Sequence, residues 1–387
     1  MKKNIMVVDD SALMRRALCD IINTDDSLNV VDTASDGLEA YEKIKANKYD
    51  AIVLDINMPR MNGLELLRKL HTEKIDVVVI VASTLTKAGS KETFEALSLG
   101  AVDFVTKPEN IIEARGQQFS YNLTDVIKAV LRIDGRKIEP RQETGVEQKP
   151  IERPKPSTPT PITITPIAKK PILTAAEVKK DIEAGIPKVS TVKPGNKLIA
   201  LACSTGGPKS LQEVIPLLPK GMNAPMVLVQ HMPPGFTKSM AERLDEISEV
   251  TVKEAEEGDV LKAGHVYVAP GGKHLQVVKK PTGDHVVHLD DSPPIGGLKP
   301  CADIMYTSLK DSSYEEIVCV VLTGMGADGT KGITDLNSSK KIFTISQDEV
   351  TSVVYGMPRA IRIAGLSNVV VPLQEVASTI IMNVGVR

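Results

Sequence analysis

Ten prolines (Pro140, Pro150, Pro154, Pro156, Pro159, Pro161, Pro166, Pro171, Pro187 and Pro194) interrupt this 387-residue chain between Gly135 and Pro194, with Lys, Glu and Thr between them and no aromatic residue. A stretch of this composition cannot bury enough apolar surface to offset the entropy of ordering it, so it reads as a semi-extended linker. A short helix over 175–184 is the one element expected inside it. The linker divides the chain into two segments, each of a size to fold as one domain. The expected organisation is a first domain over 1–135, a linker over 136–194 and a second domain over 195–387.

Each segment alternates strands with helices. In the first, apolar runs at 4–8, 51–54, 77–81 and 103–106 are separated by stretches at 11–22, 36–46, 64–71 and 91–99. Those stretches space their apolar residues by three and four, as a helix face does. Ser11 and Asp36 stand where N-caps would. In the second segment the strands are expected at 198–202, 226–230, 317–322, 341–345 and 369–371, and the helices at 211–218, 238–247, 302–309 and 375–384. Such alternation implies a parallel sheet covered by helices on both faces. Between 250 and 289 short alternating strands are broken by Gly258, Gly264, Gly271, Gly272 and Gly283, which predicts local antiparallel hairpins.

Bulk properties exclude other classes. Hydrophobic residues make up 42% and charged residues 25%, enough for a core in each segment. The formal net charge of -2 gives no electrostatic reason to expect nucleic acid or an anionic membrane as partner. The opening Met1-Lys2-Lys3-Asn4 leads into a short strand ending at Asp9-Asp10, which is not a signal peptide. No stretch approaches the ~20 apolar residues of a membrane span. Cys19, Cys203, Cys301 and Cys319 lie far apart and read as small apolar residues in a reducing compartment rather than as disulfide or metal ligands. A cytoplasmic protein without membrane insertion is expected.

The first segment places carboxylates at strand ends. Asp9 and Asp10 close the first strand, Asp55 another, Ser83 a later one, and Lys107 the last before Pro108. Residues at the carboxyl ends of parallel strands line one crevice. Three carboxylates gathered there repel unless a cation joins them, and Mg²⁺ suits carboxylate oxygens and water. One carboxylate could then act as a nucleophile toward phosphorus, with Lys107 as counter-charge. The plainer alternative is that Asp9 and Asp10 cap a helix, a second duty that Asp10 could also combine with the first.

These stretches (Val7-Val8-Asp9-Asp10-Ser11, Leu54-Asp55, Met58-Pro59-Arg60-Met61-Asn62-Gly63, Ser83 and Thr106-Lys107-Pro108) resemble the receiver domain of bacterial response regulators over about the first 120 residues. The resemblance implies a flavodoxin-like, doubly wound fold. It also implies phosphorylation at Asp55 and Mg²⁺ held by Asp9, Asp10, Asp55 and the carbonyl of Asn57. Lys107 would contact the phosphoryl oxygens, and Ser83 would move toward them.

The second segment opens with a strand running into Ala202-Cys203-Ser204-Thr205-Gly206-Gly207-Pro208 and then a helix. A serine on such a turn faces backbone N–H groups at the helix start, Thr205 among them, that can stabilise an oxyanion. The motif equally fits a phosphate-binding turn, and Ala202 stands where the α/β-hydrolase elbow has glycine. A serine needs a base near neutral pH. Of six histidines, His71, His285 and His288 read as solvent-facing, and His265 and His274 as structural. His231 directly follows the strand 226–230, which should neighbour the strand ending at Ser204, and it opens the stiff loop Met232-Pro233-Pro234. The strand 317–322 runs into Thr323-Gly324-Met325-Gly326-Ala327-Asp328. There Asp328 is the candidate to orient the imidazole, its alternative being a helix N-cap, and the Met325 amide is a second oxyanion donor.

The segments 202–208, 230–233, 235–237 and 322–329, with Val252-Lys253-Glu254-Ala255, Val268-Ala269-Pro270-Gly271 and Gly356-Met357-Pro358-Arg359, resemble the chemotaxis response-regulator protein-glutamate methylesterase/glutaminase family. The two resemblances together cover nearly everything except the linker. They imply a Rossmann-like parallel α/β domain with a small antiparallel hairpin insertion, and a catalytic set of Ser204, His231 and Asp328 with oxyanion donors at Met325 and Thr205. The implied reaction is hydrolysis of glutamate γ-methyl esters on methyl-accepting chemoreceptors, releasing methanol, with deamidation of receptor glutamines by the same acyl transfer. The esterase step would need no cofactor, Mg²⁺ serving only phosphorylation by a chemotaxis histidine kinase. The unphosphorylated receiver would hinder access to Ser204. Cys203 beside the nucleophile departs from the expected small residue and opens a minor role for its thiol. The competing reading is a receiver-controlled scaffold that binds receptor without turnover. A DNA-binding output would be a small basic helical domain, which this strand-rich segment is not.

Overall fold

The computed structural model describes residues 2–84, 86–107, 117–133 and 196–386. The proline-rich stretch over 136–194, the helix expected at 175–184, and Pro108 lie outside the described residues.

The first segment runs β1 (Lys3–Val8), α1 (Ala12–Asn23), β2 (Leu28–Ala34), α2 (Gly37–Ala46), β3 (Ala51–Asp55), α3 (Gly63–Thr72), β4 (Val78–Ser83), α4 (Lys87–Ser98), β5 (Asp103–Thr106) and α5 (Gln117–Val130). Its strands pair in parallel in the order β2-β1-β3-β4-β5. Every residue of β3 is buried, as expected of a strand covered on both faces. Ser11 and Asp36 cap α1 and α2: the Ser11 side chain accepts from the Met14 amide, and Asp36 from those of Leu38 and Glu39. Capping of α1 therefore falls to Ser11 and not to Asp10, whose side chain is exposed.

The second segment runs β6 (Lys197–Cys203), α6 (Gly207–Val214), β7 (Met226–Gln230), α7 (Phe236–Glu246), β8 (Thr251–Glu254), β9 (His265–Val268), β10 (His274–Lys279), β11 (His285–Asp290), α8 (Ala302–Ser308), β12 (Glu316–Val321), α9 (Thr330–Asn337), β13 (Lys341–Gln347), α10 (Met357–Ile363), β14 (Val369–Val371) and α11 (Leu373–Val384). Seven strands form one parallel sheet in the order β14-β13-β12-β6-β7-β9-β8. The antiparallel element is the hairpin β10–β11. The hairpins expected over 250–289 are thus only partly realised. β8 and β9 lengthen the main sheet instead, because Val252, Val266 and Val268 point into its core, a long-range fit that local alternation does not reveal.

Strand order decides where chemistry can sit. In the second sheet β6 lies between β12 and β7, so the connections leaving it diverge and open a crevice at its carboxyl end. In the first sheet β1 has the same position between β2 and β3.

The two segments are packed together. α4 lies against α6 and α7, and the ring of Phe104 stacks on Phe236 with centroids 4.8 Å apart. One apolar cluster runs from Leu67 and Phe94 into Leu211, Phe236 and Met240 without a break. Ser98 Oγ donates to Gln212 Oε1 at 2.5 Å, and Arg132 Nη2 donates to the Ser352 carbonyl at 2.8 Å. Among the described residues no helix is long and apolar enough to cross a membrane.

Candidate active site

Two clusters form at the strand ends. In the first sheet one oxygen each of Asp9, Asp10 and Asp55 lies within 4.8 Å of the others. Lys107 bridges two of them, with Nζ 2.6 Å from Asp9 Oδ2 and 2.7 Å from Asp55 Oδ2. Burial raises the Asp55 carboxyl above the usual carboxylate range, and the Asp9 charge adds to this, while Lys107 and the Ile56 amide pull the other way. One lysine among three carboxylates, Asp9 and Asp55 buried and Asp10 exposed, is a donor set that fits a hard divalent cation. Asn57 is exposed, and its side chain donates to Glu92 at 3.0 Å. Ser83 is buried and donates to the Gly89 carbonyl in α4 at 3.1 Å.

In the second sheet Ser204 follows β6, His231 follows β7, and Asp328 lies in the loop after β12. The serine turn requires glycine next to it. Gly206 has φ of 76°, and a Cβ there would lie 2.5 Å from the Val353 side chain. Its carbonyls are held from two sides: Ser204 O accepts from Gln230 Nε2 at 3.1 Å, and Thr205 O from Thr323 Oγ1 at 2.9 Å.

His231 Nε2 lies 2.7 Å from Asp328 Oδ2, with both side chains largely buried. Asp328 also accepts from the amides of Ala302 (2.6 Å) and Asp303 (3.0 Å) at the start of α8, from Gly329 N (2.9 Å) and from Cys301 Sγ (3.2 Å). Burial works to raise its pKa. The His231 hydrogen bond and charge and the two α8 amides outweigh that and bring it down to about 2. Asp328 therefore does cap a helix, but it is α8, distant in sequence, and not α9, which its own loop enters and which Gly329 precedes without a side-chain cap.

Ser204, Thr205, His231 and Met325 line one cleft of about 410 Å³. Its opposite wall belongs to the first segment: Asp103, Phe104, Phe119 and Asp125 are among its lining residues. Met325 is 41% exposed. Cys203 is fully buried, and burial pushes its thiol well above the usual range.

The other histidines divide differently from expectation at one position. His71 and His288 are exposed, and His274 is buried against the Pro293 carbonyl. His285, expected to face solvent, is buried. Its ring stacks on Tyr314 at 4.2 Å and accepts from the Ser313 amide, because β11 turns that face toward the loop after α8.

Sequence reasoning did not find Gln230, Thr323, the α8 amides or Asp103 as parts of the site. Asp103 begins β5, and its Oδ2 accepts from the Gly206 amide at 3.2 Å, across the junction between the segments. Gln230 and Thr323 lie inside stretches that carry the family resemblance, but their roles depend on partners distant in the chain, as do those of the α8 amides and Asp103.

Residues 199–380 match the CheB methylesterase family, and residues 5–115 match the response regulator receiver domain. The protein-glutamate methylesterase/protein-glutamine glutaminase of Pyrococcus horikoshii is 38% identical over 380 residues, spanning 98% of this chain and 93% of its own. The protein of the same name from Thermotoga maritima is 39% identical over 377 residues, 97% of each chain. Among solved structures, the Thermotoga maritima CheB methylesterase catalytic domain aligns at 42% identity with a TM-score of 0.47, over 48% of this chain and 98% of that one. Matched over both segments and nearly end to end, the chain belongs to the protein-glutamate methylesterase/protein-glutamine glutaminase family, hydrolases that join a response-regulator receiver to a CheB methylesterase domain.

Proposed function

We propose that Ser204 is the nucleophile of a phosphorylation-controlled esterase acting on γ-methyl glutamyl esters of chemoreceptors, with His231 as its base and Asp328 as the partner of that base. The 2.7 Å contact of His231 with a buried, ionised Asp328, in the cleft that also holds Ser204, carries the reading. With Nε2 committed to Asp328, the lone pair of Nδ1 takes the Ser204 proton as Oγ attacks the ester carbonyl. The imidazolium that forms is stabilised by the Asp328 carboxylate. Amides of Met325 and Thr205 receive the oxyanion. Holding the Ser204 carbonyl at Gln230 turns the Thr205 N–H to the other side of the same planar peptide. Collapse returns the proton from His231 to the methoxide, methanol leaves, and water repeats the cycle on the acyl-enzyme to give glutamate. A glutamine substrate would release ammonia in place of methanol.

The receiver supplies the control. Asp55 is the phosphoryl acceptor, with Lys107 positioned to meet the phosphoryl oxygens and a histidine kinase as donor. Asp9, Asp10, Asp55 and the Asn57 carbonyl would hold Mg²⁺, which would screen the charge brought by the phosphoryl group. Because receiver residues wall the cleft of Ser204, a receptor helix enters only when that packing opens, so phosphorylation acts by shifting a population between closed and open arrangements. On this reading the proline-rich stretch over 136–194 is the tether between the two domains.

The test is methanol release from methylated receptor membranes by wild type, Ser204→Ala and Cys203→Ala, with and without acetyl phosphate and Mg²⁺. The expected outcome is release that requires Ser204, survives Cys203→Ala and rises with the phosphodonor. A folded, phosphorylated wild type that releases no methanol would favour the scaffold.

A further inference from the structure

The ladder between β6 and β7 ends at the pair Cys203 and Gln230. Past it the two chains separate, one into the Ser204 turn and the other into the His231 loop. The Gln230 side chain spans the gap. It is 2% exposed. Its Nε2 donates both to the Ser204 carbonyl and to the His231 carbonyl, each at 3.1 Å, and its Oε1 accepts from Cys203 Sγ at 3.1 Å. One carboxamide thus ties together the main chains of the two residues that must exchange a proton. The main-chain link nearest to it is longer, from the His231 amide to the Cys203 carbonyl at 3.3 Å.

The surroundings fix this carboxamide in turn. A Cβ on Gly207 would lie 2.1 Å from Gln230 Oε1, so the oxygen occupies the space that any other residue at 207 would fill. The Ser204 carbonyl takes a second donor from Gly207 N at 2.7 Å, which leaves it no freedom to turn. A planar peptide transmits that restraint to the Thr205 N–H.

We infer that Gln230 is a positioning residue for the esterase reaction: its carboxamide sets the spacing of Ser204 and His231 and aims the Thr205 N–H at the oxyanion. The inference rests on the assignment of Ser204 and His231 made above. Gln230 touches no reacting atom and acts through the two loops it joins. A methionine there would fill nearly the same volume and donate nothing, so packing and positioning separate cleanly in this variant.

The experiment compares Gln230→Met, Gly207→Ala and Ser204→Ala with wild type. It measures kcat and KM for methanol release, the rate of labelling by a serine-directed fluorophosphonate, and the thermal melt of the full chain. Gln230→Met is expected to lose at least tenfold in kcat and in labelling rate, with KM within about twofold and a cooperative melt retained. Gly207→Ala, which leaves Gln230 in place but crowds its oxygen, is expected to move the same two rates in the same direction. A Gln230→Met protein with kcat within twofold of wild type overturns the inference. Should that variant not melt cooperatively, Gly207→Ala decides, and wild-type kcat there overturns it. Ser204→Ala separates the two levels. Turnover surviving in it defeats the assignment of the nucleophile, whereas an inert Ser204→Ala beside a fully active Gln230→Met defeats the positioning role alone.

Discussion

The carboxylate of Asp103, on the receiver's edge strand, accepts a hydrogen bond from the amide of Gly206, two residues past Ser204. Burial raises this carboxyl to about 7, against the opposing pull of the Phe104 and Gly206 amides. An acid whose pKa is raised in the packed state favours that packing in its protonated form. The stabilisation is complete below about pH 4 and fades as pH rises through about 7. The three-unit shift sets an upper limit of about 4 kcal/mol. Basal activity of the unphosphorylated protein should therefore rise from pH 6 to 8 more steeply in wild type than in Asp103→Asn, which keeps an acceptor but no charge. Asp125, His231 and Lys299 line the same cleft, so the readout is the ratio of the two proteins' rates. A ratio flat across that range refutes the role of Asp103.

Phe104 and Phe236 stack across the same junction, with ring planes 19° apart. Such a pair is worth about 0.5–1.5 kcal/mol beyond the area it buries. Phe104→Ala should raise unphosphorylated methanol release by roughly three- to tenfold. Unchanged basal release would show that the stack does not contribute to closure.

On the proposed mechanism Asp328 serves both chemistry and fold. Asp328→Asn should lower kcat by about 10³–10⁴-fold through the loss of the imidazolium's counter-charge. Asp328→Ala should in addition destabilise by about 2 kcal/mol, because the α8 amides of Ala302 and Asp303 lose their acceptor. Its pKa is lowered in the fold, so the stabilisation is present above about pH 4 and is lost as pH falls through about 2. Acid melts of wild type and Asp328→Asn should converge across that interval.

Lys107 is the cation that holds Asp9 and Asp55 together in this structure. Replacing it with methionine leaves three carboxylates without it. Mg²⁺ should then bind more tightly and raise the melting temperature more than in wild type, while activation by acetyl phosphate is lost. Equal Mg²⁺-induced shifts in the two proteins would argue against a shared carboxylate site.

Much of this arrangement was legible in the sequence because parallel strands are apolar throughout and stop at polar residues. Ser204, His231, Asp9, Asp10 and Asp55 stand at or just past such stops, Asp328 lies farther along the loop after β12, and strand order does the rest. What escaped has a different physics. α9 carries Gly332 near its middle and α10 is seven residues long with Pro358 near its start, so neither shows enough period to be recognised. β8 and β9 alternate as a hairpin would, and only Val252 and Val266 meeting the main core assigns them to its sheet. His285 is buried by Tyr314 from another element. Gln230 looks like the last polar residue of a strand until its partners are known.

The strand β5 is four residues long, and Lys107 follows it directly. At about 3.3 Å per residue, the reach from Asp103, which touches the esterase turn, to Lys107, which touches Asp55, is about 13 Å along one rigid rod. Coupling between equilibria is reciprocal. Whatever factor phosphorylation gives to receptor binding, bound receptor must give back to the phosphorylated receiver. On the proposed function, a membrane patch crowded with methylated receptors would then keep its own esterase switched on for longer, and the tally of unremoved methyl groups would itself be a signal for the protein.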